Sequence, residues 1–251
     1  MKNIINLENK IVLVTGATGG IGKTISLALA EQGAIPIIHY NSNEKKAFQL
    51  LQEINDIGVQ SITIRADIRQ EDEVKQMIQS IKEKYGRIDC LVNNAGILVR
   101  GFIAMQSLDK YKNAIDINLL GNFLVLKHVS MMMIRQKYGT VVNVSSAAGL
   151  GGLKGQSVYS STKGALNSLT LVAAKEMADF NVRVNAVAPG FISTGMLDNA
   201  TKQDYKHKEI IPMKRFGTAD EVSSVVLFLL SNASSYMTGQ ILLIDGGLLI
   251  A

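Results

Sequence analysis

The sequence predicts an α/β fold in which helices cover a parallel sheet, and two observations indicate it. Short apolar runs rich in Val, Ile or Leu recur along the 251-residue chain, most without the alternation of a strand that has one wet face. Longer segments with helical spacing of apolar residues separate these runs, and strand followed by helix in repetition indicates βαβ units. The predicted strands are 11–14, 35–38, 62–64, 88–92, 141–144, 182–187 and 241–244.

Helical periodicity between the predicted strands indicates the helices that cover the sheet. The chain has three prolines and no Pro- or Ser-rich linker, so we expect one domain over residues 1–251. One polar stretch, 191–215, interrupts the βα rhythm and is predicted to be a lid over a site. Helical spacing is clearest around residues 25–30, 48–57, 74–81, 122–134, 158–177 and 222–230.

Composition limits the class of protein. Hydrophobic residues make up 47% and charged residues 19%, which is typical of a globular chain, and no apolar run approaches the roughly 20 residues that span a bilayer. The net charge of +5 is spread along the chain, so we expect no nucleic-acid partner. We also expect no membrane partner and no metal site. The single cysteine, Cys90, lies in a predicted buried strand, which favours a reducing, cytoplasmic compartment.

A glycine-rich turn follows the first predicted strand. Gly16, Gly20 and Gly22 let the backbone approach a pyrophosphate, and the helix that begins there offers free N–H groups. The spacing G-x-x-x-G-x-G differs from the G-x-G-x-x-G of the standard dinucleotide fingerprint. We interpret the turn as a cofactor site; a purely structural turn is the alternative.

The ends of the second and third strands bear on cofactor choice. Enzymes that prefer NAD usually place an acid after the second strand to bind the ribose, whereas Tyr40, Asn41 and Ser42 are neutral here. The sequence therefore favours NADP(H) over NAD(H). Asp67, after the third strand, either accepts a bond from an adenine amino group or serves as a turn aspartate.

Polar residues at later strand ends indicate chemistry. Tyr159 and Lys163 are four apart at the head of a predicted helix, so they share one face. An ammonium nearby favours the phenolate and should lower the tyrosine pKa from about 10. Ser146 ends the fifth strand, where its hydroxyl could bond a substrate oxygen. A solvent-facing Tyr–Lys pair is the alternative interpretation.

These pieces together resemble the classical short-chain dehydrogenase/reductase family over nearly the whole chain. The matching motifs are T-G-A-T-G-G-I-G at 15–22, N-N-A-G at 93–96, I-D-I-N-L-L-G around Asn118, Y-S-S-T-K at 159–163 and P-G-F-I-S-T at 189–194. The resemblance implies a Rossmann-like, doubly wound, seven-stranded parallel sheet with helices on both faces. It also implies Tyr159 as general acid, Lys163 as its electrostatic partner, Ser146 as oxygen stabiliser and Asn118 holding a relay water.

The same resemblance implies a set of cofactor contacts at the strand ends. They are Gly16, Thr18, Gly20, Ile21, Gly22, Tyr40, Asn41, Ser42, Asp67, Ile68, Asn94, Ala95, Gly96, Tyr159, Lys163, Pro189, Gly190, Ile192 and Thr194.

Within that family the chain looks most like the 3-oxoacyl-acyl-carrier-protein reductases. This implies reduction of a 3-oxoacyl thioester, linked to acyl carrier protein or CoA, in fatty-acid or polyketide synthesis. It also implies a homotetramer, in which 241–251 could pack between subunits, and Arg135 and Lys137 as contacts for an acidic carrier. The chain departs from the subgroup where Gly19 and Ser42 replace common basic residues, where Gly195 replaces a frequent acid, and at Phe180, another frequent basic position.

Two alternatives stay open from the sequence. One is an NAD(P)-dependent dehydrogenase of a sugar, a steroid or another secondary alcohol. The other is a non-catalytic dinucleotide sensor on the same fold, which would have no need of Tyr159.

Overall fold

The computed structural model describes residues 5–194 and 208–250. Thirteen residues of the predicted lid, 195–207, therefore lie outside the described residues, and Gly195 is among them. The strands are β1 (Ile11–Val14), β2 (Ile35–Tyr40), β3 (Ile62–Arg65), β4 (Cys90–Asn93), β5 (Gly139–Val144), β6 (Val182–Pro189), β7 (Ile192–Ser193), β8 (Gly217–Thr218) and β9 (Ile241–Ile244). The α-helices that lie wholly within the described residues are α1 (Gly20–Glu31), α2 (Glu44–Asp56), α3 (Glu71–Tyr85), α4 (Leu108–Ile115), α5 (Asn122–Gln136), α6 (Ala148–Gly151), α7 (Ser157–Met177) and α8 (Ala219–Leu230).

Seven strands form one parallel sheet in the order β3-β2-β1-β4-β5-β6-β9, which confirms the predicted sheet. A short parallel pair, β7 and β8, stands apart from it. The strand order reverses direction between β1 and β4, so the chain leaves these neighbouring strands toward opposite sides. Such a reversal opens a crevice at the carboxyl ends of the strands, where open α/β sheets bind their ligands.

Five strands, β1, β2, β4, β5 and β6, supply side chains to two apolar layers, because successive side chains of a strand point to opposite faces. Val12 and Val14 of β1 pack in a layer with α1, α2 and α8. Ile11 and Leu13 of the same strand pack in a second layer with α3, α5 and α7. Burial on both faces explains why the strands read as unbroken apolar runs.

The fourth strand begins later in the chain than the sequence predicted. The sequence predicted 88–92, whereas β4 begins at Cys90. The amide side chain of Gln136 takes up the backbone of Ile88 instead: its Oε1 accepts the Ile88 N–H at 3.2 Å and its Nε2 donates to the Ile88 carbonyl at 3.0 Å. A side chain from the end of α5 therefore replaces the neighbouring strand at this position.

One helical stretch, Leu108–Gln136, runs through α4, a π-helical turn at Asp116–Gly121, and α5. By length and composition alone it could cross a membrane, with a mean hydropathy of 1.4, although the sequence suggested no such run. Half of its most apolar window is buried within the fold. Leu124, Val125 and Val129 pack in the second apolar layer, as they would in a core helix.

Asp89 joins three strand starts at the edge of the sheet opposite the crevice. Asp89 is 4% exposed. Its Oδ2 accepts a hydrogen bond from the Ile11 N–H at 2.7 Å, and its Oδ1 accepts one from the Tyr138 hydroxyl at 2.8 Å. Arg87 lies at 3.0 Å from the same carboxylate. This one buried carboxylate therefore holds the beginnings of β1, β4 and β5 together.

We expect Asp89→Ala to lower the free energy of unfolding by about 3 kcal/mol, because it leaves a buried N–H and a phenol hydroxyl without their charged acceptor. Urea denaturation followed by circular dichroism measures this loss. Asp72→Ala is the matched control: Asp72 also pairs with a cation, Lys75, but its side chain is 87% exposed. Equal losses in the two variants would contradict the role given to Asp89.

Candidate active site

A cavity of about 530 Å³ opens at the carboxyl ends of the strands, where the sheet order reverses. Every residue that the sequence predicted to contact the cofactor lines it, from Gly16 after β1 to Thr194 after β7. Ser146 lines it too, whereas the lining does not include Asn118. The roles of these residues stay predictions, but the fold does bring their side chains to one place.

The glycine-rich turn at one end of the cavity has no room for a side chain at Gly16 or Gly22. Gly16 has a φ of +61°, a conformation that costs glycine little. A Cβ on Gly22 would stand 2.5 Å from the Gly16 carbonyl oxygen, which is backbone and cannot move aside. The N-terminus of α1 has no side-chain cap and no acid in its first turn. Its N–H groups and partial positive charge therefore remain available to an anion such as a pyrophosphate.

His39 supports this turn from below. Its Nδ1 accepts the Gly16 N–H at 3.1 Å, so its Nε2 carries the proton and donates to the Ala66 carbonyl at 2.9 Å. Burial lowers the pKa of His39 to about 4, which keeps the ring neutral. The histidine thus connects the ends of β1 and β3 to β2.

Asn94 braces the turn from the other side. Its Nδ2 donates to the Thr15 carbonyl at 2.9 Å and to the Gly16 carbonyl at 3.1 Å. Its backbone N–H reaches the Thr15 hydroxyl at 2.9 Å. A cofactor contact of Asn94 would therefore fall to its remaining Oδ1, since the amide hydrogens are engaged by the loop.

The far end of the cavity holds the residues that the sequence linked to cofactor choice. The Tyr40 hydroxyl donates to the Glu44 carboxylate at 3.2 Å, so an acid does lie one turn beyond the β2 end that the sequence showed as neutral. Asp67 accepts the Arg69 N–H at 3.0 Å, as a turn aspartate does, and also pairs with the Arg69 guanidinium. That guanidinium holds the pKa of the Asp67 carboxyl below its usual range.

The chemical end is built from the end of β5 and the head of α7. Ser146 and Tyr159 both line the cavity here. The Ser146 Oγ accepts the Ala148 N–H at 3.2 Å and donates to the Pro189 carbonyl at 3.4 Å. Burial raises the pKa of Tyr159, and the neighbouring Ser146 hydroxyl offsets this only in part. The expectation of a lowered tyrosine pKa is therefore not met in this structure, since desolvation disfavours the phenolate.

The side chain of Lys163 explains why its ammonium does not reverse this shift. Its Nζ donates to the Val144 carbonyl at 2.7 Å and lies 5.8 Å from the centre of the Tyr159 ring. The residue is 3% exposed, and burial lowers the pKa of Lys163 to about 8. Lys163 is thus buried and the adjacent Tyr159 half-buried in the cavity lining, which excludes the solvent-facing pair that was the alternative interpretation.

Asn118 lies behind the cavity, in the π-helical turn. Its Oδ1 accepts the Ile97 N–H at 2.8 Å, and its Nδ2 donates to the Ile97 carbonyl at 2.9 Å and to the Thr162 hydroxyl at 3.2 Å. Both ends of the amide are therefore engaged in holding the loop after β4 against α7. π-Helical turns are frequent at functional sites.

The sequence did not single out several residues that line the cavity. Leu153 and Gln156 precede α7, and Ile97, Leu98 and Arg100 follow β4. Phe191, which also lines the cavity, is the first residue of the predicted lid. The residue types alone do not indicate a ligand-binding site, although Gln156 is three residues before Tyr159. That spacing was the one available signal.

Residues 16–249 match a family described as "Enoyl-(Acyl carrier protein) reductase". With the seven-stranded sheet and the cavity at its reversal, this match shows that the chain belongs to the short-chain dehydrogenase/reductase family. It is an NAD(P)-dependent oxidoreductase that acts on a carbonyl or hydroxyl group.

Particular relatives extend over almost the whole chain. The 3-oxoacyl-[acyl-carrier-protein] reductase FabG of Staphylococcus epidermidis is 40% identical over 242 residues, covering 96% of this chain and 99% of the relative. FabG of Thermotoga maritima is also 40% identical, over 250 residues, covering 98% and 100%. Among solved structures, a gluconate 5-dehydrogenase from Burkholderia cenocepacia in complex with NADP and tartrate superposes with a TM-score of 0.94 at 31% identity, covering 99% and 98%.

We expect Lys163→Met to stabilise the protein at pH 7 by on the order of 3 kcal/mol, the free energy that corresponds to lowering its pKa from 10.5 to about 8. The unfolded chain binds the extra proton between these values, so wild-type stability rises with pH from 8 to 10.5. The advantage of the variant should shrink over that window in urea denaturation. Lys175→Met, at an exposed lysine of the same helix, should show no such trend; an advantage independent of pH would contradict the buried charge.

Proposed function

We propose that this chain reduces a 3-oxoacyl thioester to the 3-hydroxyacyl product, with NADP(H) favoured over NAD(H), in fatty-acid or related synthesis. The observation that carries the proposal is that Ser146, Tyr159 and the buried Lys163 line one cavity at the strand ends, and that this cavity fits a dinucleotide. The relatives named as 3-oxoacyl-[acyl-carrier-protein] reductases support the choice of substrate.

The residues present fit a nicotinamide dinucleotide. The space that a Cβ on Gly22 would need is already occupied by backbone, and the uncapped helix end beside it suits a pyrophosphate. Such a cofactor, when bound, supplies a hydride to the carbonyl carbon. The protein's part is to hold the carbonyl group and to supply a proton.

In the proposed mechanism Ser146 donates a hydrogen bond to the substrate carbonyl oxygen, and Tyr159 gives its phenolic proton to the same oxygen as negative charge develops there. Burial raises the pKa of Tyr159, so the acid carries its proton at neutral pH, as reduction requires. Lys163 stabilises the phenolate left behind. Asn118 acts as a positioning residue through Ile97 and Thr162.

Two further features belong to this proposal. Arg135 and Lys137 are exposed at the end of α5, where they can meet an acidic acyl carrier protein. Residues 191–215 serve as a substrate lid, of which 195–207 lie outside the described residues.

We also propose that the chain acts in the cytoplasm as a homotetramer, in line with its single buried cysteine and its exposed apolar side chains such as Phe123.

A secondary-alcohol dehydrogenase is the second candidate, and one observation favours it. The gluconate 5-dehydrogenase from Burkholderia cenocepacia shares the fold at 31% identity. Oxidation of an alcohol would need the Tyr159 phenolate as base, and burial disfavours that form. A panel of polyols with NAD⁺ or NADP⁺ against acetoacetyl-CoA with NADPH separates the two functions, and crotonyl-CoA with NADPH tests reduction of a carbon–carbon double bond.

We expect Tyr159→Phe to lower kcat for acetoacetyl-CoA by about 10² to 10⁴-fold, because the proton donor is removed while the ring still fills its place. Consumption of NADPH at 340 nm measures this loss, and NADPH fluorescence titration should show unchanged cofactor affinity. Tyr138→Phe, at a tyrosine bonded to Asp89 and remote from the cavity, is the control. Near-normal turnover of Tyr159→Phe would refute the mechanism.

Gly19→Arg tests the preference for NADPH. Gly19 has an ordinary φ of −80°, and a Cβ there would meet only the Gly16 carbonyl oxygen at 3.5 Å, so the substitution fits. An added guanidinium beside a 2′-phosphate should raise the ratio of kcat/KM for NADPH over NADH by about tenfold, and salt should weaken the gain. Gly19→Gln supplies a similar length without charge; an equal gain in that variant would count against the charge argument.

A further inference from the structure

The side-chain amide of Gln156 lines the cavity and has no role in the mechanism above. The residue is 9% exposed, and within residues 5–194 and 208–250 its amide has no hydrogen-bond partner. Its backbone is engaged separately: the N–H donates to Leu153 at 3.0 Å and the carbonyl accepts the Ser160 N–H at 2.7 Å. Buried polar groups nearly always have a partner, so an amide that faces a ligand cavity without one is a candidate ligand contact.

The position of Gln156 relative to Tyr159 defines which ligand group it can reach. Gln156 is the N-cap residue of α7, three residues before Tyr159 and seven before Lys163, so the three lie along one side of the helix. Residues three apart on a helix have Cβ atoms about 5–6 Å apart. A ligand atom that is hydrogen-bonded to Gln156 would therefore be only a few covalent bonds away from the ligand oxygen that is bonded to Tyr159.

The lining that contains Gln156 is partly apolar. Leu153, Leu98 and Phe191 belong to it, and so does the charged Arg100. An unpartnered amide in this lining contributes specificity, because a ligand that offers it no partner leaves a polar group unpaired.

We propose that Gln156 determines specificity by donating a hydrogen bond to the second carbonyl oxygen of a 1,3-dicarbonyl substrate, while the first carbonyl is held by Ser146 and Tyr159. This inference rests on the proposed function, since a 3-oxoacyl thioester has its thioester carbonyl two carbons from the reacting ketone. A simple ketone or a secondary alcohol lacks that oxygen. Gln156 is thus a positioning residue, which orients the substrate without exchanging a proton.

A matched pair of substrates tests the proposal in the full-length protein. One is the N-acetylcysteamine thioester of acetoacetate; the other is the thioether in which a methylene replaces the thioester carbonyl. We expect wild type to prefer the thioester, and Gln156→Leu to lower kcat/KM for the thioester by about tenfold or more while changing that for the thioether by less than about twofold. NADPH affinity should remain unchanged in both proteins.

Two further variants keep the test decisive. Gln156→Glu has nearly the same shape but its carboxylate cannot donate, so it should lose the thioester preference even if the leucine variant folds poorly. Gln79→Leu, at a glutamine on α3 bonded to Glu83 and absent from the cavity lining, should leave both substrates unaffected. Equal losses on both substrates in the Gln156 variants, or no loss on either, would overturn the inference. Wild type that reduces neither substrate would instead refute the proposed function.

Discussion

The site depends on one constraint of parallel sheets. Neighbouring parallel strands end on the same edge, and at the reversal between β1 and β4 the connections leave to opposite sides of the sheet. The ends of β1, β4 and β5 therefore open into one cavity, and residues from distant parts of the sequence share it. The glycine-rich turn and Tyr159 both line that cavity.

Desolvation controls the chemistry within this cavity. It raises the pKa of Tyr159 and lowers that of Lys163 to about 8, so both residues are moved toward their neutral forms. A protonated phenol is the form that reduction of a carbonyl needs. The direction of both shifts arises from burial rather than from the pairing of charges that the spacing Y-x-x-x-K suggests.

Hydrogen bonds between loops give the site its rigidity. His39 and Asn94 hold the glycine-rich turn from two sides, and Asn118 holds the loop after β4. These side chains use their polar atoms on backbone groups of other segments, which preorganises the cavity before any ligand enters. Gln156 is the contrast: its amide, without a partner in the described part of the chain, faces the cavity.

The sequence by itself determined the parallel α/β sheet, because burial on both faces demands apolar runs and crossovers demand helical spacing between them. It also determined the glycine-rich turn and the Tyr159–Lys163 pair, since each is local along the chain. Only the tertiary structure decided that Asp89 joins three strands. It likewise decided that the side-chain amide of Asn118 is hydrogen-bonded to Ile97 and that the Glu44 carboxylate accepts a hydrogen bond from Tyr40. It also decided the sign of the Tyr159 pKa shift, because burial and hydrogen-bond partners come from segments that meet only when the sheet forms.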